Sequence, residues 1–277
     1  MSAAVQGAHS AYTATYSEYF QTLVHLSQHF QQGLQETQAV MGKVLQASMR
    51  IVSDIQSMPS SVRLTAKIAN IGPIPLPNAT CHLSFEPPPT RQQPIAKDEI
   101  SWTFVSGYVN QEEQEGSSIP SLFDNPLTLQ PGTQYIQVVD IKSKAPMQYN
   151  GILSIHFSGM DEAPIQEEHR FGVYLIDQMQ KSHVEKTPMD VISHRHYWHS
   201  FLQHILEIKL DSVKDVVHVA LQPYQQDYEK HRILCQIQPN DEQEDLAKVM
   251  FGAETPDGIE LLQLLVQELD MLHSGGG

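Results

Sequence analysis

The chain has 277 residues, 40% of them hydrophobic, enough to bury one large or two ordinary cores without disulfides or metals. Its formal net charge of −15 repels phosphate backbones and anionic membranes, which excludes general attraction to either. No run reaches the apolar length of a membrane-spanning helix, and Met1–Gly7 lacks the basic and apolar regions of a signal peptide, so a soluble intracellular protein, cytoplasmic or nuclear, is expected.

Both presumptive folded parts are acidic: residues 58–180 carry 7 basic and 13 acidic groups, and residues 181–277 carry 8 and 16. The two cysteines, Cys81 and Cys235, lie in different apolar strand-like runs. A buried thiol in each core is the expectation, ahead of a disulfide or ligand pair. Asn78-Ala79-Thr80 matches a glycosylation acceptor, but the match means little without secretion.

Residues 1–10 read as a flexible start and residues 11–57 as a helical or coiled-coil arm. From Ala11 to Ile55 there is no proline, and an apolar seam recurs in steps of three, four or seven through Tyr16, Phe20, Leu23, Phe30, Leu34, Met41, Val44, Ile51 and Ile55. That spacing predicts a long amphipathic helix with a Gln-, Ser-, Thr- and His-rich opposite face. The stripe either packs on the chain's own downstream parts or docks against a partner helix. Phe20, Leu23, Phe30, Leu34, Met41 and Val44 form the candidate interaction stripe. His25 and His29 stand at i,i+4 without a third ligand, which reads as polar helix surface.

After Met58-Pro59 the period shifts to two. Val62, Leu64, Ala66 and Ile68 alternate with Arg63, Thr65 and Lys67, and Cys81, Leu83 and Phe85 alternate with His82 and Ser84. Between them Asn70–Asn78 is a proline-rich connection. Ile100–Val109 is a further strand with Trp102, Phe104 or Val105 in the core, and Gln111–Ser118 a solvated acidic loop. Leu127–Leu129 leads to a Pro131-Gly132 turn of type II character, followed by strands over Tyr135–Ile141, Gly151–Phe157 and Phe171–Ile176. About six to eight short strands at this spacing predict an antiparallel β-sandwich or small barrel over residues 59–180.

In three features, Ile68-Ala69-Asn70-Ile71-Gly72, the Leu129-Gln130-Pro131-Gly132 turn before a Tyr-containing strand, and Gly151-Ile152-Leu153-Ser154-Ile155, this region resembles the immunoglobulin-like appendage domains of vesicle-coat and related scaffold proteins. The resemblance covers about 100 residues and transfers no binding residue. It implies a noncatalytic subunit of a large assembly, as in coat complexes, ciliary cargo-coat complexes and DNA-repair core complexes. An upstream domain outside this chain would fit that arrangement.

Residues 188–273 read as a small α/β or α+β domain, and residues 274–277 as a flexible tail. A helix is predicted from about His194 to Leu206, strands over Val216–Leu221 and Arg232–Ile237, a helical spacing over Asp241–Phe251, and a final helix over Ile259–Leu272. The stripe Ile259, Leu262, Leu265, Val266 and Leu269 is first a core face and second a candidate C-terminal docking stripe. His194, His196, His199 and His204 with Asp190 carry the one local concentration of ligand-type residues. They match no zinc spacing or His-Glu-x-x-His element.

The fold class expected is thus multidomain α+β: a long N-terminal amphipathic helix, a central immunoglobulin-like sandwich and a small C-terminal domain. No phosphate loop, nucleophile elbow or Cys-x-x-Cys pair occurs, and no catalytic, cofactor-binding or metal residue, and no cofactor, is assigned. The leading functional reading is a scaffold or adaptor subunit whose partners are other protein subunits. One alternative is a hydrolase or metal-dependent enzyme built on the His-rich 190–204 segment. The other is a nucleic-acid-associated accessory protein, which the dispersed Arg63, Lys67, Arg91, Lys142, Lys144 and Arg170 do not favour.

Overall fold

The computed structural model describes residues 2–88, 94–96, 98–111, 114–159, 164–185, 190–207, 216–228, 230–240, 243 and 245–275, with side chains from Tyr19 onward except at 111, 114–116, 239 and 275. The architecture is α+β, with a long N-terminal helix and three antiparallel sheets.

Helix α1 (Ser2–Ala47) is 46 residues long, roughly 70 Å at the α-helical rise. It stops at Ser48, and β1 (Met49–Met58) pairs with β2 (Ser61–Asn70) as a tight hairpin. Ile51 and Ile55, expected at the end of the helical seam, therefore lie on a strand. Met49, Ile51, Ser53 and Ile55 satisfy period two as well as Ile51 and Ile55 satisfy i,i+4, and the ladder to β2 decides between them.

The first sheet runs β1-β2-β7-β4-β5, with β4 over Ile100–Gln111, β5 over Gln114–Ser118 and β7 over Thr133–Ser143. The predicted acidic loop is in part strand β5, an edge hairpin on β4; Glu112 and Glu113 lie outside the described residues. A bulge between Phe104 and Ser106 leaves Val105 exposed, while Trp102 and Phe104 pack on the core. The second sheet runs β6-β3-β8-β9, with β3 over Leu76–Glu86, β6 over Leu127–Leu129, β8 over Tyr149–Ser158 and β9 over Pro164–Val173. Pro77 is accommodated because the β3–β6 register breaks between Leu76 and Ala79. Leu64, Ile68 and Ile141 of the first sheet and Leu76, Leu153 and Ile155 of the second meet in one hydrophobic core.

Asn70 holds one corner of that core. Fully buried, it donates from Nδ2 to the carbonyls of Ile74 (2.8 Å) and Leu129 (2.9 Å), and its Oδ1 accepts the Gly72 N–H at 3.0 Å. Its own carbonyl accepts the N–H of Gly132, whose φ of +67° is the left-handed geometry that places glycine in this turn.

The third sheet runs β10-β12-β13-β14-β11, with β10 over Met179–His183, β11 over Ser193–Trp198, β12 over Val217–Pro223, β13 over Ile233–Pro239 and β14 over Leu246–Ala253. Helices α2 (His199–Leu206) and α3 (Pro256–Gly275) contribute Leu202, Leu206, Leu262 and Leu265 to its core with Tyr197, Val219, Ile233, Cys235 and Phe251. Two predicted helices are thereby corrected. His194–Trp198 is strand, because its alternation buries Tyr197 between exposed His196 and Trp198. Leu246–Phe251 is also strand, with Ala247, Val249 and Phe251 buried in alternation.

Between the two cores the chain passes through a 3₁₀ turn at Ile176–Gln178. Glu268 of α3 reaches it from 92 residues away and accepts the N–H groups of Leu175 (2.8 Å) and Ile176 (3.1 Å). Buried Gln178 donates to the carbonyls of Met147 (2.6 Å) and Tyr174 (3.1 Å) and accepts from Ser143 Oγ at 2.9 Å and Gln225 Nε2 at 3.2 Å. Burial outweighs the two N–H bonds and pushes the Glu268 carboxyl up to about 7. Burial also raises Asp177, which accepts the Tyr174 N–H.

Asn70→Ala leaves two buried carbonyls and one N–H without their partner and is expected to cost about 3 kcal/mol in urea unfolding; a loss near zero would contradict the corner's role. A carboxyl whose folded pKa is raised stabilises the fold fully below its unfolded value and loses that contribution as pH rises through the folded one. Stability is therefore expected to fall between pH 4.5 and about 7, by up to about 3 kcal/mol from Glu268. Glu268→Gln should flatten that slope, leaving the part due to Asp177. An unchanged slope in the variant would contradict the assignment.

Candidate functional site

The candidate site is the outer part of α1. Among the described side chains, its end touches the sheets: Leu45 is buried in the first core, Met41 packs against it, and Gln46 Nε2 donates to Glu167 Oε2 (2.9 Å) and the Gln166 carbonyl (3.3 Å) on β9. Ser48 then fixes the exit, its Oγ bonded to the Val44 carbonyl and its own carbonyl accepting the Ile71 N–H.

Of the sequence-predicted stripe, Phe20, Leu23, Phe30, Leu34 and Val44 are exposed, from 44% at Val44 to 73% at Phe30, and Met41 alone is half-buried. Tyr16 lies among the residues whose side chains are not described. Tyr19, Val24, Leu26 and Val40 are also exposed and widen the surface. Tyr19, Val24 and Val40 stand one position beside Phe20, Leu23 and Met41, while Leu26, three after Leu23 and four before Phe30, itself fits a three-four spacing. At about 100° per residue these side chains span an arc of roughly 200°, twice what one partner helix covers.

Nine large apolar side chains between Tyr19 and Val44 are thus exposed along one helix, more than the single scattered exposures ordinary on a protein surface. From Tyr19 to Ala47 the only charged residues are Glu36 and Lys43, so the surface carries almost no electrostatic selectivity.

The C-terminal stripe has a different fate. Leu262, Leu265, Val266 and Leu269 are buried in the third sheet's core and Ile259 is half-buried. This corrects the reading of a docking stripe, since the face is already covered by the chain's own β-sheet. Asp270 ties the helix down, accepting from Arg195 Nε at 2.9 Å and Tyr197 Oη at 2.8 Å. Burial, then that bond, pushes the Tyr197 hydroxyl up.

The histidines do not converge. His194 and His196 share one face of β11, His199 opens α2, and His204 and Asp190 are exposed. Among the described residues no group of three or more His, Cys, Asp or Glu could hold a metal ion. Cys81 and Cys235 are free thiols in separate cores, each pushed up by burial away from thiolate character. No described helix is long and apolar enough to cross a membrane.

No family model matches the chain, and no curated protein matches it. Among solved structures, AvmM, which catalyses macrocyclization in alchivemycin A biosynthesis, is similar at 10% identity over 45% of this chain and 88% of its own, with a TM-score of 0.30. The GAE domain of GGA2p from Saccharomyces cerevisiae is similar at 11% identity over 46% of this chain and 89% of its own, TM-score 0.27. The sporulation control protein Spo0M from Bacillus subtilis is similar at 11% identity over 81% and 98%, TM-score 0.24. At scores this low the likenesses assign neither family nor function.

Proposed function

We propose that this chain is a noncatalytic scaffold or adaptor subunit of an intracellular multisubunit complex, with α1 as its docking arm. The observation that carries the reading is the wide, nearly uncharged apolar surface of α1, held away from the chain's own cores. The two sheets that share the first core are read as an immunoglobulin-like sandwich of the appendage type, a rigid base for the arm. The C-terminal sheet with its two helices is read as a second folded unit. Coat, ciliary-trafficking and DNA-repair core assemblies are the classes of complex in which such an arrangement would serve.

The arm's occupant is another protein's helical surface. Apolar contact supplies affinity here and shape supplies selectivity, because charges that would set a partner or register are missing from the flanks of the stripe. Leu23→Gln, Phe30→Gln and Leu34→Gln combined change exposed positions and are expected to leave the unfolding midpoint of the downstream sheets unchanged. The same variant should lose stoichiometric partners in co-purification from cells followed by mass spectrometry. Unchanged recovery of the complex by the triple variant would reject the docking role.

A further inference from the structure

Helices α2 and α3 cover one face of the third sheet; on the other, Ala220, Leu234 and Gly252 are buried and Gln180 donates to the Pro59 carbonyl, while the side towards β11 is exposed. The strand registers fix what the exposed side carries. One row across it is His218, Gln236, Met250 and His194. The next row sets Lys248 opposite His196, and Trp198 follows opposite Leu246. Trp198 is 48% exposed, and exposed Ile192 and Val216 stand at the entrances to β11 and β12.

Within the strands no residue on this face is Asp or Glu, and Glu254, one position beyond β14, is already paired with Arg232 at 3.0 Å. In residues 181–277, where acidic groups outnumber basic ones by 16 to 8, that is a marked local departure. Lys248 has no carboxylate partner among the described residues. Arg195, on the opposite face of the same edge strand, is already paired with Asp270.

We propose that this exposed side is a second docking surface, and that its occupant is an acidic segment of a partner protein with apolar side chains interleaved among its carboxylates. A carboxylate only accepts hydrogen bonds, and the face offers it the Lys248 ammonium, imidazole and amide N–H groups and the Trp198 indole N–H. Elsewhere on so acidic a chain a second acidic surface meets repulsion. Met250, Leu246 and Trp198 supply the apolar contact that holds the segment once charge has oriented it. The inference is independent of the role of α1.

The full chain carrying Trp102→Phe makes Trp198 the only tryptophan, of two in the sequence, and its fluorescence reports directly on this face. A synthetic peptide repeating Glu-Leu-Glu-Val is expected to shift that emission saturably, and added salt should weaken the binding. The same repeat with Gln for Glu should bind about tenfold more weakly, as should the Glu peptide to a Lys248→Glu, His196→Glu variant. Circular dichroism confirms that this variant is folded. No saturable shift with the Glu peptide, equal binding of the Glu and Gln peptides, or tighter binding of single-stranded DNA would each overturn the proposal.

Discussion

The constraint on which the rest of the structure depends is the need to satisfy backbone groups where the chain crosses from the first core to the third sheet. Residues 174–178 are largely buried there, and water cannot serve their N–H groups. Glu268 takes two of them from the far end of the sequence, Asp177 takes a third, and Gln178 ties the turn to β7, the loop before β8 and the segment after β12. Lost pairings at this point cost on the order of 1–3 kcal/mol each, so the sheets on either side are held in fixed relation. The cost is a carboxyl kept in a place that disfavours its charge.

Rigidity at that crossing gives the exposed surfaces their meaning. α1 leaves the first core at Ser48 along a direction set by Leu45, Gln46 and the Ile71 contact, so its apolar arc is presented at a defined angle. The exposed side of the third sheet is likewise fixed through Gln178 and Glu268. Two surfaces of unlike chemistry, one apolar and nearly uncharged, one rich in hydrogen-bond donors with its flanking Glu254 already paired, thus sit on one body. On the proposed reading, affinity at each surface would come from preorganisation as much as from contact area.

The strands with strict alternation, such as Val62–Ile68 and Cys81–Phe85, were legible because one face of each is buried and the other solvated. Ile51 and Ile55 were misread because four residues apart satisfies both periods, and only pairing with β2 separates them. His194–Trp198 hid for the same reason, its aromatic pair merging with Phe201 and Leu202 into a helical stripe. The leucines of α3 were legible as an apolar face, while what covers them depends on strands far back in the chain, as distant as Met179 and Tyr197. Glu268 and Gln178 read as ordinary polar residues; their roles come from partners distant in the chain. The apolar seam of α1 was visible, and its full width was not, because Tyr19, Val24 and Val40 fall beside a single seam. The face whose strands carry no carboxylate could not be seen at all until the registers of five strands were known.

The most direct measure of the arm's role is backbone hydrogen exchange along α1, in the isolated chain and in the complex recovered from cells. A free helix held only at its last turn opens readily, so residues 19–40 should exchange rapidly in isolation. In the complex the same amides should be strongly protected, while those of β2, β7 and β8 stay as slow as before. Equally fast exchange of residues 19–40 in both states would contradict the claim that a partner covers this helix.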